Sequence, residues 1–119
     1  ESCSCTPLAG SNRGTLSSQA DVRGSSSQSC SWTISGVAPR VTVTSLEKQN
    51  VGLYVYLDEC DDADCMSNQG IALERNPRSG MEFQSSTRHL RVRFEWYVYS
   101  SSGAVGSVVA TWSTTSKAP

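Results

Sequence analysis

A two-sheet antiparallel β-sandwich is the fold the sequence predicts, and three observations predict it. Apolar and polar residues alternate with period two in several short runs, of which Leu90, Val92 and Phe94 against Arg91, Arg93 and Glu95 is the clearest. Strand side chains point to opposite faces in turn, so such a run reads as half-buried. Ser, Gly and Pro clusters separate the runs at regular spacing. No window sustains apolar residues at i, i+3, i+4 and i+7 over a helical length. All-β is the resulting class, with two packed sheets to bury the apolar faces.

Taken in order, residues 1–28 are polar and rich in Ser and Gly, with Leu8, Leu16 and Val22 as apolar punctuation, which suits edge strands and turns. Cys30-Ser31-Trp32-Thr33-Ile34 is the first clear strand, with Cys30, Trp32 and Ile34 on one face. The inward Cys30 can tie it to the N-terminal segment. Residues 36–39 turn the chain, and Arg40-Val41-Thr42-Val43-Thr44 alternates again, its β-branched residues suiting a pleated surface. Leu53, Val55 and Leu57 form the apolar face of a third strand. After the acidic stretch 58–65, Ile71-Ala72-Leu73 reads as a short strand and residues 77–80 as a turn. Leu90 to Phe94 and Val108 to Trp112 are then two antiparallel strands, with Val108, Ala110 and Trp112 on one face. They flank a turn at residues 100–103, and Trp96, Tyr97 and Tyr99 open that loop.

A chain of 119 residues is long enough for one domain and too short for two. Ten basic against eleven acidic residues give a net charge of −1, so no global field draws the chain to nucleic acid or an anionic membrane. No apolar run approaches the roughly 18 residues needed to cross a bilayer as a helix. The chain begins at Glu1 without a charged-then-apolar leader, and residues 113–119 read as the start of a linker. The expectation is a secreted domain whose core spans 5–113, part of a larger extracellular protein.

Five cysteines in a small Ser-rich chain argue for an oxidising compartment, where disulfides persist. A zinc site would need paired knuckles or Cys/His pairs. Here Cys3 and Cys5 are CxC, Cys60 and Cys65 are CxxxxC, and the one histidine, His89, is remote from both in sequence. The odd count leaves one thiol over, and Cys3, nearest the terminus, is the expected one.

The order of motifs resembles that of a CUB domain, an extracellular module found in complement proteases, developmental metalloproteases and spermadhesins. Cys5, Gly14-Thr15-Leu16-Ser17-Ser18, Cys30-Ser31-Trp32-Thr33-Ile34, residues 40–46, residues 53–57, and Phe83-Gln84-Ser85-Ser86 through Leu90-Arg91-Val92-Arg93-Phe94 stand in that order, with Val108, Ala110 and Trp112 closing the series. The resemblance implies a jelly-roll-like sandwich and a Cys5 to Cys30 disulfide, with Cys3 unpaired or bonded to another chain or domain. The remaining pair, Cys60 and Cys65, departs from the family in lying wholly after the 53–57 strand, where a bridge pins only the acidic loop. Many CUB domains bind calcium through a Glu and two Asp. Glu47 can stand for the first, but the other positions fall on Leu53 or Val55 and on Tyr97, so the family's calcium site is expected to be lost and no metal or cofactor is assigned.

Three other features are candidate sites. The carboxylates of Asp58, Glu59, Asp61, Asp62 and Asp64 could supply calcium with oxygens, but without EF-hand spacing they read first as a solvated loop. His89 points away from the Leu90 face and has no nucleophile and carboxylate arranged about it, so no hydrolase is expected. Arg88, Arg91 and Arg93 read as charges on a solvated strand face before they read as an anion patch. Rings with polar tips anchor protein interfaces and stack on sugars. The expected function is therefore a non-enzymatic extracellular module that binds a protein through the Trp96, Tyr97, Tyr99 and Glu47 end; the alternative is a carbohydrate-binding module of lectin or adhesin type using the same aromatics.

Overall fold

The structure, a computed structural model, describes residues 3–10, 12–23, 27–66, 68–100 and 102–115. Nine strands follow one another: β1 (Ser4–Cys5), β2 (Arg13–Gln19), β3 (Ser27–Ser35), β4 (Val37–Gln49), β5 (Val51–Cys60), β6 (Asn68–Glu74), β7 (Glu82–Gln84), β8 (His89–Val98) and β9 (Val105–Thr115). They form two antiparallel sheets, one of five strands in the order β1-β2-β9-β4-β7 and one of four in the order β3-β8-β5-β6. Only β1 to β2 and β5 to β6 stay within a sheet. Every other connection crosses between sheets, which is the jelly-roll-like sandwich expected from the sequence.

Period-two patterning decides which residues meet between the sheets. From the four-stranded sheet come Cys30, Trp32, Ile34, Leu53, Val55, Leu57, Leu90, Val92, Phe94 and Trp96; from the other come Leu16, Val41, Val43, Val108, Ala110 and Trp112, all buried. Trp32 meets Phe94 edge to face at 5.4 Å, and its indole N–H donates to the Thr6 carbonyl at 2.7 Å. That bond ties the N-terminal segment down onto the core. Gln28, 3% exposed, bonds the Asp21 backbone twice: its amide oxygen accepts from the Asp21 N–H at 2.7 Å and its amide nitrogen donates to the Asp21 carbonyl at 2.6 Å.

Several expectations need correction. β8 and β9 are not partners; they lie in opposite sheets, β8 between β3 and β5 and β9 between β2 and β4. Within residues 1–28 the expected edge strand is β1, whereas β2 lies between β1 and β9 and pairs with β1 at Ser18 and Gln19. β4 starts at Val37, inside the expected turn: a register shift between Val37 and Arg40 and a positive φ at Ala38 absorb Pro39, which lacks a ladder N–H. β6 runs over seven residues where three were expected. Described residues on both sides of 5–113 also pack or pair with the sandwich. Cys3 is 6% exposed within the core, and β9 continues to Thr115, where the Thr114 N–H donates to the Asn12 carbonyl at 2.8 Å. Of the expected linker, residues 116–119 lie outside the described residues.

Candidate functional site

The outer face of the four-stranded sheet follows from its register. Opposite the buried Leu53-Val55-Leu57 and Leu90-Val92-Phe94-Trp96 series, β5 turns Gly52, Tyr54, Tyr56 and Asp58 outward, and β8 turns out Arg91, Arg93, Glu95 and Tyr97. Cross-strand partners on one face are the units that make contact in a sheet. The rows pair Gly52 with Tyr97, Tyr54 with Glu95, Tyr56 with Arg93 and Asp58 with Arg91. On the far side of β8, β3 adds hydroxyls: Ser29 beside Glu95, Ser31 beside Arg93, Thr33 beside Arg91 and Ser35 beside His89.

Side-chain contacts follow those rows. Tyr54 lies 4.9 Å from Tyr97 and 6.5 Å from Tyr56, centroid to centroid. The Arg93 guanidinium sits 4.1 Å from the centre of the Tyr56 ring, a cation–π contact. Arg91 donates from Nε and Nη2 to one Asp58 carboxylate oxygen at 3.0 and 2.8 Å. With side chains 32% and 17% exposed, that pair is partly screened and contributes about 1 kcal/mol. Ser35 Oγ and His89 Nδ1 are 2.7 Å apart on the same open face.

Tyr99 completes the patch from beyond the end of β8. A Cβ at Gly52 would run into its hydroxyl, so the ring lies over Gly52 on the outer face, and glycine is what makes room for it. It remains 70% exposed. All four tyrosines of the chain thus gather on one sheet face, whereas all three tryptophans are buried. The Tyr97 phenol is pushed up to about 12, by partial loss of water first, then by the neighbouring Tyr56 hydroxyl and the Glu95 carboxylate.

Trp96 does not belong to this surface, contrary to the sequence expectation. The Leu90-Val92-Phe94 alternation extends one step further, so Trp96 points inward and is 0% exposed. Its Nε1 donates to Ser18 Oγ at 2.9 Å, and its ring packs where a Cβ at Gly106 would stand, 2.9 Å from Cζ3. Glu47 is exposed, but on β4 of the other sheet, so it does not join Tyr97 and Tyr99. Leu53 and Val55 are core residues, 1% and 0% exposed. Tyr54 and Tyr56 were missed. Their signal was present in the outward positions of the Leu53-Val55-Leu57 run, but only the register of β5 against β8 sets them beside Tyr97.

The acidic stretch is not gathered around one point. Asp58 is held by Arg91 on the outer face, while one Glu59 carboxylate oxygen accepts from Ser85 Oγ at 2.8 Å and from the Ser86 N–H at 3.2 Å. Asp61, Asp62 and Asp64 are exposed. The Cys60–Cys65 disulfide closes this loop, and Cys5–Cys30 joins β1 to β3. Cys3 is a free, buried thiol. On the opposite sheet, a hollow of about 440 Å³ is lined by Arg13, Thr15, Thr42, Thr111, Trp112 and Ser113 among others. It offers hydroxyls and one guanidinium.

Comparison with known proteins returns no relative: no family model matches the chain, and no curated protein or solved structure is found to be similar. Nothing among them identifies a CUB domain.

Proposed function

We propose that this chain is a non-enzymatic extracellular interaction module that binds a protein partner through the outer face of its four-stranded sheet. The observation that carries the reading is the gathering of Tyr54, Tyr56, Tyr97 and Tyr99 with Arg93 on one face. Tyr and Arg are enriched at interface centres, where a large rigid ring buries much apolar area for little lost rotamer freedom and still offers a hydroxyl. A broad sheet face suits a macromolecular partner, whereas a small molecule is better enclosed by a concave pocket. Two disulfides fit an oxidising, extracellular setting. The CUB-like motif order adds to this reading, since that family consists of extracellular modules.

Carbohydrate binding is the second reading. One observation favours it: the sheet face over which the highly exposed Tyr99 ring lies also carries the outward hydroxyls of Ser29, Ser31, Thr33 and Ser35 on β3. Rings can stack on sugar faces while hydroxyls meet sugar hydroxyls.

Screening the immobilised chain against a panel of cell-surface and secreted ectodomains, with a glycan array in parallel, tests both. A Tyr97→Ala/Tyr99→Ala variant is expected to lose at least tenfold in affinity for any ectodomain bound, and a Thr15→Ala/Thr111→Ala variant on the other sheet to retain it. Glycan binding lost in the tyrosine variant would replace the first reading by the second. Binding indifferent to both tyrosines would refute the face as the site.

A further inference from the structure

Three sulfurs meet where β1, β3 and the N-terminal segment converge: those of Cys3, Cys5 and Cys30 lie within 4.8 Å of one another. Cys5 and Cys30 are bonded, and the Cys3 thiol is 3.0 Å from Cys30 Sγ and 3.9 Å from Cys5 Sγ. Ser18 Oγ stands 3.2 Å from Cys30 Sγ. The three differ in access. Cys3 is 6% and Cys30 2% exposed, whereas Cys5 is exposed on β1, the edge strand of its sheet. A thiolate attacks the sulfur it can reach and expels the other, at a rate set by access and by the leaving thiol.

We propose that Cys3, Cys5 and Cys30 form a thiol–disulfide relay in which Cys30 exchanges partners, so that the free thiol of the chain is presented to solvent at Cys5. The Cys3 thiol gives its proton to water, and its thiolate attacks Cys30 Sγ. A Cys3–Cys30 bond forms, the Cys5–Cys30 bond breaks, and Cys5 leaves with the bonding pair as a thiolate that takes up a proton. No electrons are gained or lost. Because Cys5 Sγ is little further from the thiol than Cys30 Sγ, Cys3 sits beside the bridge; exchange requires its side chain to rotate into line behind Cys30. Burial pushes the Cys3 thiol up, which keeps the thiolate scarce and the exchange slow. Once released, the Cys5 thiolate can attack a disulfide of another molecule, forming one mixed disulfide and releasing one thiolate. Cys5 is thereby a covalent attachment site for a partner that carries an accessible disulfide.

The test is alkylation of the native full chain with N-ethylmaleimide at mildly alkaline pH, followed by peptide mapping without reduction. The expected result is maleimide on Cys5 together with a Cys3–Cys30 linkage, both growing with incubation time. Cys3→Ser is expected to abolish the Cys5 label, and Cys5→Ser, refolded with oxidised glutathione as the oxidant, to carry a Cys3–Cys30 linkage and take up no maleimide. Label on Cys3 with Cys5–Cys30 retained, or no label short of unfolding, would overturn the relay. The wild-type map decides by itself should either variant fail to fold.

Discussion

Trp96 and Tyr97 are adjacent residues with opposite fates, and each carries its own prediction. Trp96→Phe removes the indole N–H from Ser18 Oγ in the core and is expected to cost about 1–3 kcal/mol in urea unfolding. Trp96→Ala should cost about 3–5 kcal/mol, as truncation of a buried indole does. A loss under about 1 kcal/mol for the alanine variant would contradict its burial. Tyr97 predicts a pH effect. Its phenol rises from 10.0 to about 12 in the folded chain, so the folded state holds a proton that the unfolded state releases. The stability this contributes is complete below pH 10 and is lost as pH rises through about 12. Denaturation midpoints across that window are expected to fall more steeply for the native chain than for Tyr97→Phe.

The strands show what a single sequence reveals and where it stops. Alternation placed the inward residues of β3, β5, β8 and β9 correctly, because facing is a local property of a pleated chain. Strand partners are not local. Nothing in Leu90 to Trp112 says that β8 and β9 belong to opposite sheets, and Pro39 with Ala38 reads as a turn until β9 is seen to pair on both sides of the irregularity. The disulfides make a testable contrast between elements. Cys5–Cys30 spans a separation of 25 residues and Cys60–Cys65 one of 5. By loop-closure entropy they contribute about 3.5 and about 2 kcal/mol. Cys30→Ser should therefore lower the denaturation midpoint more than Cys65→Ser; the reverse order would show that the acidic loop contributes more than its length implies.

For the whole molecule, the site was half legible. Tyr97 and Tyr99 stood out as rings near a strand end, but Tyr54 and Tyr56 joined them only through the β5 to β8 register, and Trp96 was assigned to the surface because its alternation was cut one step short. Glu47 with Leu53, Val55 and Tyr97 offers calcium one carboxylate, and Asp58 and Glu59 are engaged by Arg91 and by Ser85 with Ser86. Melting curves in millimolar calcium and in chelator are accordingly expected to coincide, and a rise of several degrees with calcium would overturn that expectation. The most direct measurement of the central claim is an NMR titration of the chain with an ectodomain that it captures. Backbone amide shifts are predicted along β3, β5 and β8 and at Tyr99, with Thr15, Thr42 and Thr111 unmoved; shifts confined to β2, β4 and β9 would contradict the tyrosine face as the binding surface.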